Sequence, residues 1–173
     1  MEIKVSQYIK ETEVLVINKF EGENTSQEIA NKYAVEKDGF EGKFGQTYLI
    51  HTLGQAIADK ILIVGFGKKE EFNQNKMREA VAKSIKKLQQ IKAKKAAFDF
   101  DVNADYGKSA AIGAMIADYA YDKYKSEKAH HLDEITFANF SQKNVEEGIV
   151  FGEAMKFTRD LANTPAQIAT PQK

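Results

Sequence analysis

The sequence predicts an α/β domain, a three-layer αβα arrangement around a mixed, largely parallel sheet. Three observations carry that prediction. Strand-like and helix-like stretches alternate through most of the 173 residues. Two strand-like runs, over residues 13–18 and 60–65, are apolar at nearly every position, the pattern of strands covered on both faces. The stretch over residues 73–90 carries its apolar residues at helical spacing, so one side of that helix is meant for burial.

Taken in order, Ile3 and Val5 alternate with polar residues and predict a first strand with one wet face. The run at 13–18 is the first central strand. Ser26 is placed to cap a short helix over residues 27–33. Between residues 38 and 45, Gly39, Gly42 and Gly45 alternate with Phe40 and Phe44. Such a stretch is either a surface connection or a loop whose backbone amides approach an anion. Residues 46–52 read as a strand, and 60–65 as the second buried strand. Gly65-Phe66-Gly67-Lys68 follows directly, where a nucleotide-binding turn would lie. However, the third glycine is replaced by Glu70, with Glu71 beside it, and two carboxylates there repel a diphosphate.

In the helix over residues 73–90, Met77, Ala80, Val81, Ser84, Ile85 and Leu88 define the buried face. Eight basic residues between positions 76 and 95 face one acid, Glu79, and Lys76, Lys83 and Lys87 project away from the apolar side. Together with Lys86 they form a candidate patch for nucleic acid or an acidic partner, set against the plainer reading of a solvated helix surface. A strand over 96–100 leads into Asp99, Asp101, Asn103 and Asp105. Their alternation suggests calcium, but the twelfth position from Asp99 is Ala110 where an EF-hand loop needs glutamate. A helix rich in small residues is predicted over 109–124. His130 and His131 sit side by side on extended chain, so their side chains point apart and do not share a metal. A last strand covers 134–137. Ser141 caps a final helix through Val145, Ile149, Met155, Phe157 and Leu161, with Gly148 and Gly152 inviting close approach, and Pro165 ends it.

With 25 basic and 25 acidic residues the formal net charge is zero, which is not the balance of a nucleic-acid binder overall. Cysteine is absent, which excludes disulfides, thiolate zinc sites and thiol nucleophiles. The N-terminus reads as a strand rather than a signal peptide, and no stretch approaches membrane-spanning length. No Gly-x-Ser-x-Gly elbow, His-Glu-x-x-His motif or Gly-Lys-Ser/Thr triplet is present. The residues alone assign no catalytic chemistry.

The segment Arg159-Asp160-Leu161-Ala162-Asn163-Thr164-Pro165, followed by Thr170-Pro171, resembles the domain junction of the leucyl aminopeptidase (cytosol aminopeptidase) family. Residues 63–68, 119–125 and the helix over 148–161 look like the same family in the same order. The resemblance implies a macrodomain-like N-terminal domain over 1–140, a connector helix over 141–163, and at 164–173 the start of a linker to an absent catalytic domain. Its parent would be a cytoplasmic, usually hexameric exopeptidase that removes N-terminal residues such as leucine from peptides. Two divalent ions (zinc, manganese or magnesium) would polarise the scissile carbonyl and supply the hydroxide. The family's Asn-Thr-Asp-Ala-Glu-Gly-Arg signature is absent from this chain, so no catalytic, cofactor-binding or metal-binding residue is assigned to it. The implied role is hexamer assembly and substrate access. Two alternatives are a module binding ADP-ribose or a nucleotide between the 39–45 loop and the 65–67 turn, and a DNA-binding regulatory domain using residues 76–95. The end of the final helix is expected to be poorly anchored, since the domain it leads to is missing.

Overall fold

A computed structural model describes residues 1–23 and 39–165. Six strands form one sheet: β1 (Glu2–Ser6), β2 (Thr12–Phe20), β3 (Thr47–His51), β4 (Ala58–Gly67), β5 (Lys95–Asp99) and β6 (Glu134–Ala138). Their spatial order is β1-β6-β5-β2-β4-β3, parallel throughout except that β3 runs antiparallel to β4. The described helices are α1 (Gln74–Gln90), α2 (Gly107–Asp118) and α3 (Gln142–Asn163). The mixed, largely parallel α/β sheet expected from the sequence is therefore the observed one.

Strand side chains alternate between two faces. On one face Val14, Val16, Leu62, Val64, Phe98, Ile135 and Phe137 join Met77, Val81, Ile85 and Leu88 of α1, the alanines of α2 and Val145 of α3 in a single core. Burying an aliphatic or aromatic side chain of this size contributes about 1.5–3 kcal/mol. All six residues expected to form the inner side of α1 are buried. On the other face, Ile50, Ile61 and Ile63 pack with Phe40, and Leu15, Ile17 and Tyr48 lean against them. The two central strands differ here. From Ile61 to Gly67, β4 is buried at every residue, whereas β2 is fully buried only at Val14, Val16, Lys19 and Phe20. Leu15 and Ile17 stay half-buried among the described residues. The helix expected over residues 27–33, which would supply cover for a third layer, lies outside the described residues.

The helices are held by close backbone approach. A Cβ on Gly113 of α2 would lie 2.3 Å from the Arg78 carbonyl oxygen of α1. On the other side of α2, a Cβ on Gly148 of α3 would lie 2.5 Å from the Lys108 carbonyl oxygen, and one on Gly152 would lie 2.5 Å from Met115 Cβ. The expectation that Gly148 and Gly152 admit a neighbour is met, and the neighbour is α2. Asn73 opens α1 by accepting hydrogen bonds from the amides of Asn75 (3.0 Å) and Lys76 (3.2 Å), a cap worth about 1 kcal/mol.

One helix differs from expectation. The pattern predicts helix over 109–124, but α2 starts at Gly107 and stops at Asp118, with Tyr119 already extended. Asp118 is buried at that stop, where its carboxylate accepts from Gln89 Nε2 (3.2 Å) and lies 3.2 Å from His131 Nδ1. Beyond it the chain swings toward α3, and tertiary contacts override the helix preference.

Because Gly113 is closed by backbone rather than by a movable side chain, Gly113→Ala is expected to lower stability by about 1–3 kcal/mol through overpacking, despite alanine's better helix preference. Chemical denaturation checks this, and an unchanged midpoint would show that α1 and α2 are not in contact there.

Candidate functional site

The two glycine segments that suggested ligand walls meet each other. Gly45 N–H donates to the Gly65 carbonyl (2.9 Å), Gly65 N–H to the Gln46 carbonyl (2.8 Å), and Gly67 N–H to the Gly42 carbonyl (2.9 Å). Gly42, Gly45 and Gly67 all adopt positive φ, near +80°, +80° and +70°. A Cβ on Gly65 would stand 2.1 Å from the Lys43 carbonyl oxygen. These glycines therefore serve contact between two backbone segments. The amides of Glu41, Lys43, Gly45, Gly65 and Gly67 are donated within the chain and not held free for an anion.

In open parallel sheets, ligands sit beyond the carboxyl ends of the strands. Here that edge is filled by aromatic rings. Phe66 stacks on Phe72 at 4.7 Å between centroids and meets Phe100 edge-on at 4.9 Å. Phe20 packs edge-on to both Phe66 and Phe72. The series continues through Phe98 to Phe137 and Phe140. The signal for this lay in the sequence, because β2, β4, β5 and β6 all carry phenylalanine at or just past their ends. A hollow of about 600 Å³ lies at the opposite end of the strands, among Glu13, Asp59, Lys94, Lys95 and Asp133. Of its charges, Glu13 is held within the chain, accepting from the Lys94 amide (2.7 Å) and lying 3.6 Å from Lys60 Nζ.

The four candidate lysines separate into two groups. Lys76 pairs with Glu71 at 2.8 Å and stands 5.5 Å from the centre of the Phe44 ring. Lys83 covers the same ring at 4.5 Å. Lys86 donates to Gln89 Oε1 at 3.3 Å. Lys83, Lys86 and Lys87, without Lys76, line a hollow of about 510 Å³ whose other walls include Thr47, Ala82, Ile116 and Ala117.

The remaining titratable candidates have local structural partners. Asn103 accepts from the Asp105 amide, Asp99 accepts from Asn139, Asp105 accepts from Asn144, and the Asp101 amide donates to Asn18. His130 Nε2 lies 2.8 Å from the Ala93 carbonyl oxygen, while His131 turns to Asp118, so the pair diverges as expected. Among the described residues no group of three His, Cys, Asp or Glu side chains is arranged to hold a metal ion. The donor set present does not fit the two-metal centre that the family resemblance implies. No described helix is long and apolar enough to cross a membrane.

The end of α3, expected to hang loose, is tied down by tyrosines. Tyr119 Oη donates to Asp160 (2.9 Å) and accepts from Asn163 Nδ2 (3.2 Å), Tyr121 Oη donates to Thr164 Oγ1 (3.4 Å), and Arg159 lies over the Tyr119 ring.

Two outcomes follow. The hydrogen bond from Lys76, then its charge, holds the Glu71 carboxyl below the usual carboxylate range. A carboxyl lowered on folding adds stability above its unfolded pKa, and that stability is lost as pH falls through the folded value. Glu71→Gln is therefore expected to flatten the acid side of the stability–pH curve, read as melting temperature from neutral pH downward; an identical curve would show the pair is inert. Tyr119→Phe, which removes the hydroxyl that Asp160 and Asn163 share, is expected to speed amide exchange in the last turn of α3 alone. Faster exchange throughout the sheet would assign Tyr119 to the core instead.

Comparison with known proteins agrees with this geometry. Residues 12–128 match the model of the cytosol aminopeptidase family, N-terminal domain. A probable cytosol aminopeptidase of Aquifex aeolicus is 30% identical over 147 residues, covering 81% of this chain and 30% of the relative. One from Pseudomonas fluorescens is 33% identical over 145 residues, covering 75% and 29%. Among solved structures, the bottromycin maturation enzyme BotP superposes with a TM-score of 0.78 at 26% identity, over 93% of this chain and 35% of that one. It has also been solved in complex with Mn. Tomato leucine aminopeptidase shares the fold, with a TM-score of 0.77 at 16% identity over 99% and 40%. The chain thus spans about 30% of the length of the curated relatives it matches. It belongs to the cytosol aminopeptidase family, and what it presents is that family's N-terminal domain.

Proposed function

We propose that the chain is the non-catalytic N-terminal domain of a two-metal leucyl aminopeptidase, whose full-length form removes N-terminal amino acids from peptides in the cytoplasm. The observation that carries this reading is the match to the family's N-terminal model in a chain whose described residues offer no metal-ligand cluster. The two divalent ions, manganese, zinc or magnesium, belong in this reading to a peptidase domain outside the chain, where they would activate water and polarise the peptide carbonyl.

In this reading residues 1–140 form the domain proper, α3 is the connector over 141–163, and residues 164–173 begin the linker. The amphipathic character of α3 supports it. Val145, Gly148 and Gly152 face the core, while Val150, Phe157 and Leu161 are 58–65% exposed on the far side. Large apolar side chains collected along one helix face mark a surface that another unit covers. That unit is the peptidase domain, and by placing it the N-terminal domain contributes to assembly of a homohexamer and to control of peptide access.

The purified chain, supplied with manganese or zinc, is expected to leave leucyl p-nitroanilide intact. Turnover that survives removal of host peptidases and falls when a residue of this chain is substituted would contradict the proposal.

A further inference from the structure

We propose that the hollow between β3, α1 and α2 is a docking site for an extended acidic peptide, a binding function beyond the role given above. Its rim carries three cations, Lys83, Lys86 and Lys87, and among the described residues no carboxylate lines it. Among the described residues none of the three is ion-paired, whereas Lys76 on the same helix is held by Glu71. The floor is apolar, from Ala82, Ile116 and Ala117. Lys83 is fixed in place by the Phe44 ring beneath it and by Gly45, where a Cβ would come within 2.2 Å of its Nζ. A positive rim over an apolar floor suits a chain that alternates acidic and apolar side chains.

The backbone beside the hollow favours the same ligand. β3 is an edge strand, and no described strand pairs with its outer side. Gln46 accepts from Gly65 and Thr52 donates to Asp59, so the even-numbered residues of β3 bond to β4. The N–H and C=O groups of Thr47, Leu49 and His51 consequently point outward, ready for an added strand. Leu49 packs against the core shared with the helices, which puts every second side chain of β3 on the lysine side. Carboxylates two residues apart on an extended chain stand about 6.8 Å apart. The rise from Lys83 to Lys87 along α1 is about 6 Å. Nucleic acid fits less well, because the Phe44 ring that a base would stack on is already covered by Lys76 and Lys83.

The test uses a fluorescein-labelled ten-residue peptide alternating glutamate and valine, followed by anisotropy at low salt. Saturable binding is expected, weakening as salt rises. The double variant Lys86→Glu/Lys87→Glu should weaken it at least tenfold, while Lys143→Glu on the far side of α3 leaves it unchanged. In amide NMR spectra of the unsubstituted chain, Thr47, Leu49 and His51 should shift on titration, a readout independent of how the variants fold. No saturable binding, equal loss in Lys143→Glu, or unshifted β3 amides would each overturn the proposal. So would displacement of the peptide by an equimolar single-stranded oligonucleotide, which would assign the lysines to nucleic acid.

Discussion

The close approach of α2 to its two neighbours sets the arrangement of the helical layer. Gly113 admits the backbone of α1 at Arg78, and Gly148 and Gly152 of α3 admit α2 at Lys108 and Met115. A side chain at any of these positions would hold two helix axes apart by the thickness of a methyl group. Val145 of α3 and the alanines of α2 would then leave the core they share with β5 and β6. Small residues thus substitute for large ones as the source of packing density here, since dispersion grows with the number of close atom pairs. The sheet uses the same device once more, where Gly65 lies against the Lys43 and Gly42 backbone.

That economy has a functional counterpart. An α/β sheet keeps its chemistry at the carboxyl ends of its strands when loops leave a crevice there. In this chain the ends of β2, β4, β5 and β6 are closed by stacked and edge-on phenylalanines, and the glycine loop is hydrogen-bonded onto β4. The aromatic fill makes the edge a source of stability. Among the described residues, the lysine-rimmed hollow beside β3 and the apolar outer side of α3 stay open on the flanks.

Much of this was legible in the sequence, for identifiable reasons. The inner face of α1 could be read residue by residue because helical periodicity is a local signal, and both central strands were found from their apolar runs, although among the described residues only β4 is buried on both faces. The family followed from the junction segment at 159–165 with Thr170-Pro171, supported by the stretches at 63–68, 119–125 and 148–161 in the same order. Two features depend on partners distant in the chain and could not be read, and a third rests on a side-chain pairing that helical periodicity does not show. The glycine loop and the glycine turn were each visible, but their pairing joins residues 42 and 67. The early end of α2 depends on Tyr119 finding Asp160, 41 positions later. Lys76 looked equivalent to Lys83 and Lys87, yet Glu71 pairs with it and takes it out of the open patch.

α3 divides at Gly152. Up to that residue the helix is clamped to α2 by close contact, and beyond it, among the described residues, tyrosine hydroxyls and an arginine–ring contact hold the helix to the body. Native-state hydrogen exchange of the α3 amides tests this most directly, because protection reports the free energy of local opening. Protection is expected near the global value for residues 146–153, with a steep fall from residue 156 onward. Uniform protection through Asn163, or earlier opening of the first half, would contradict it.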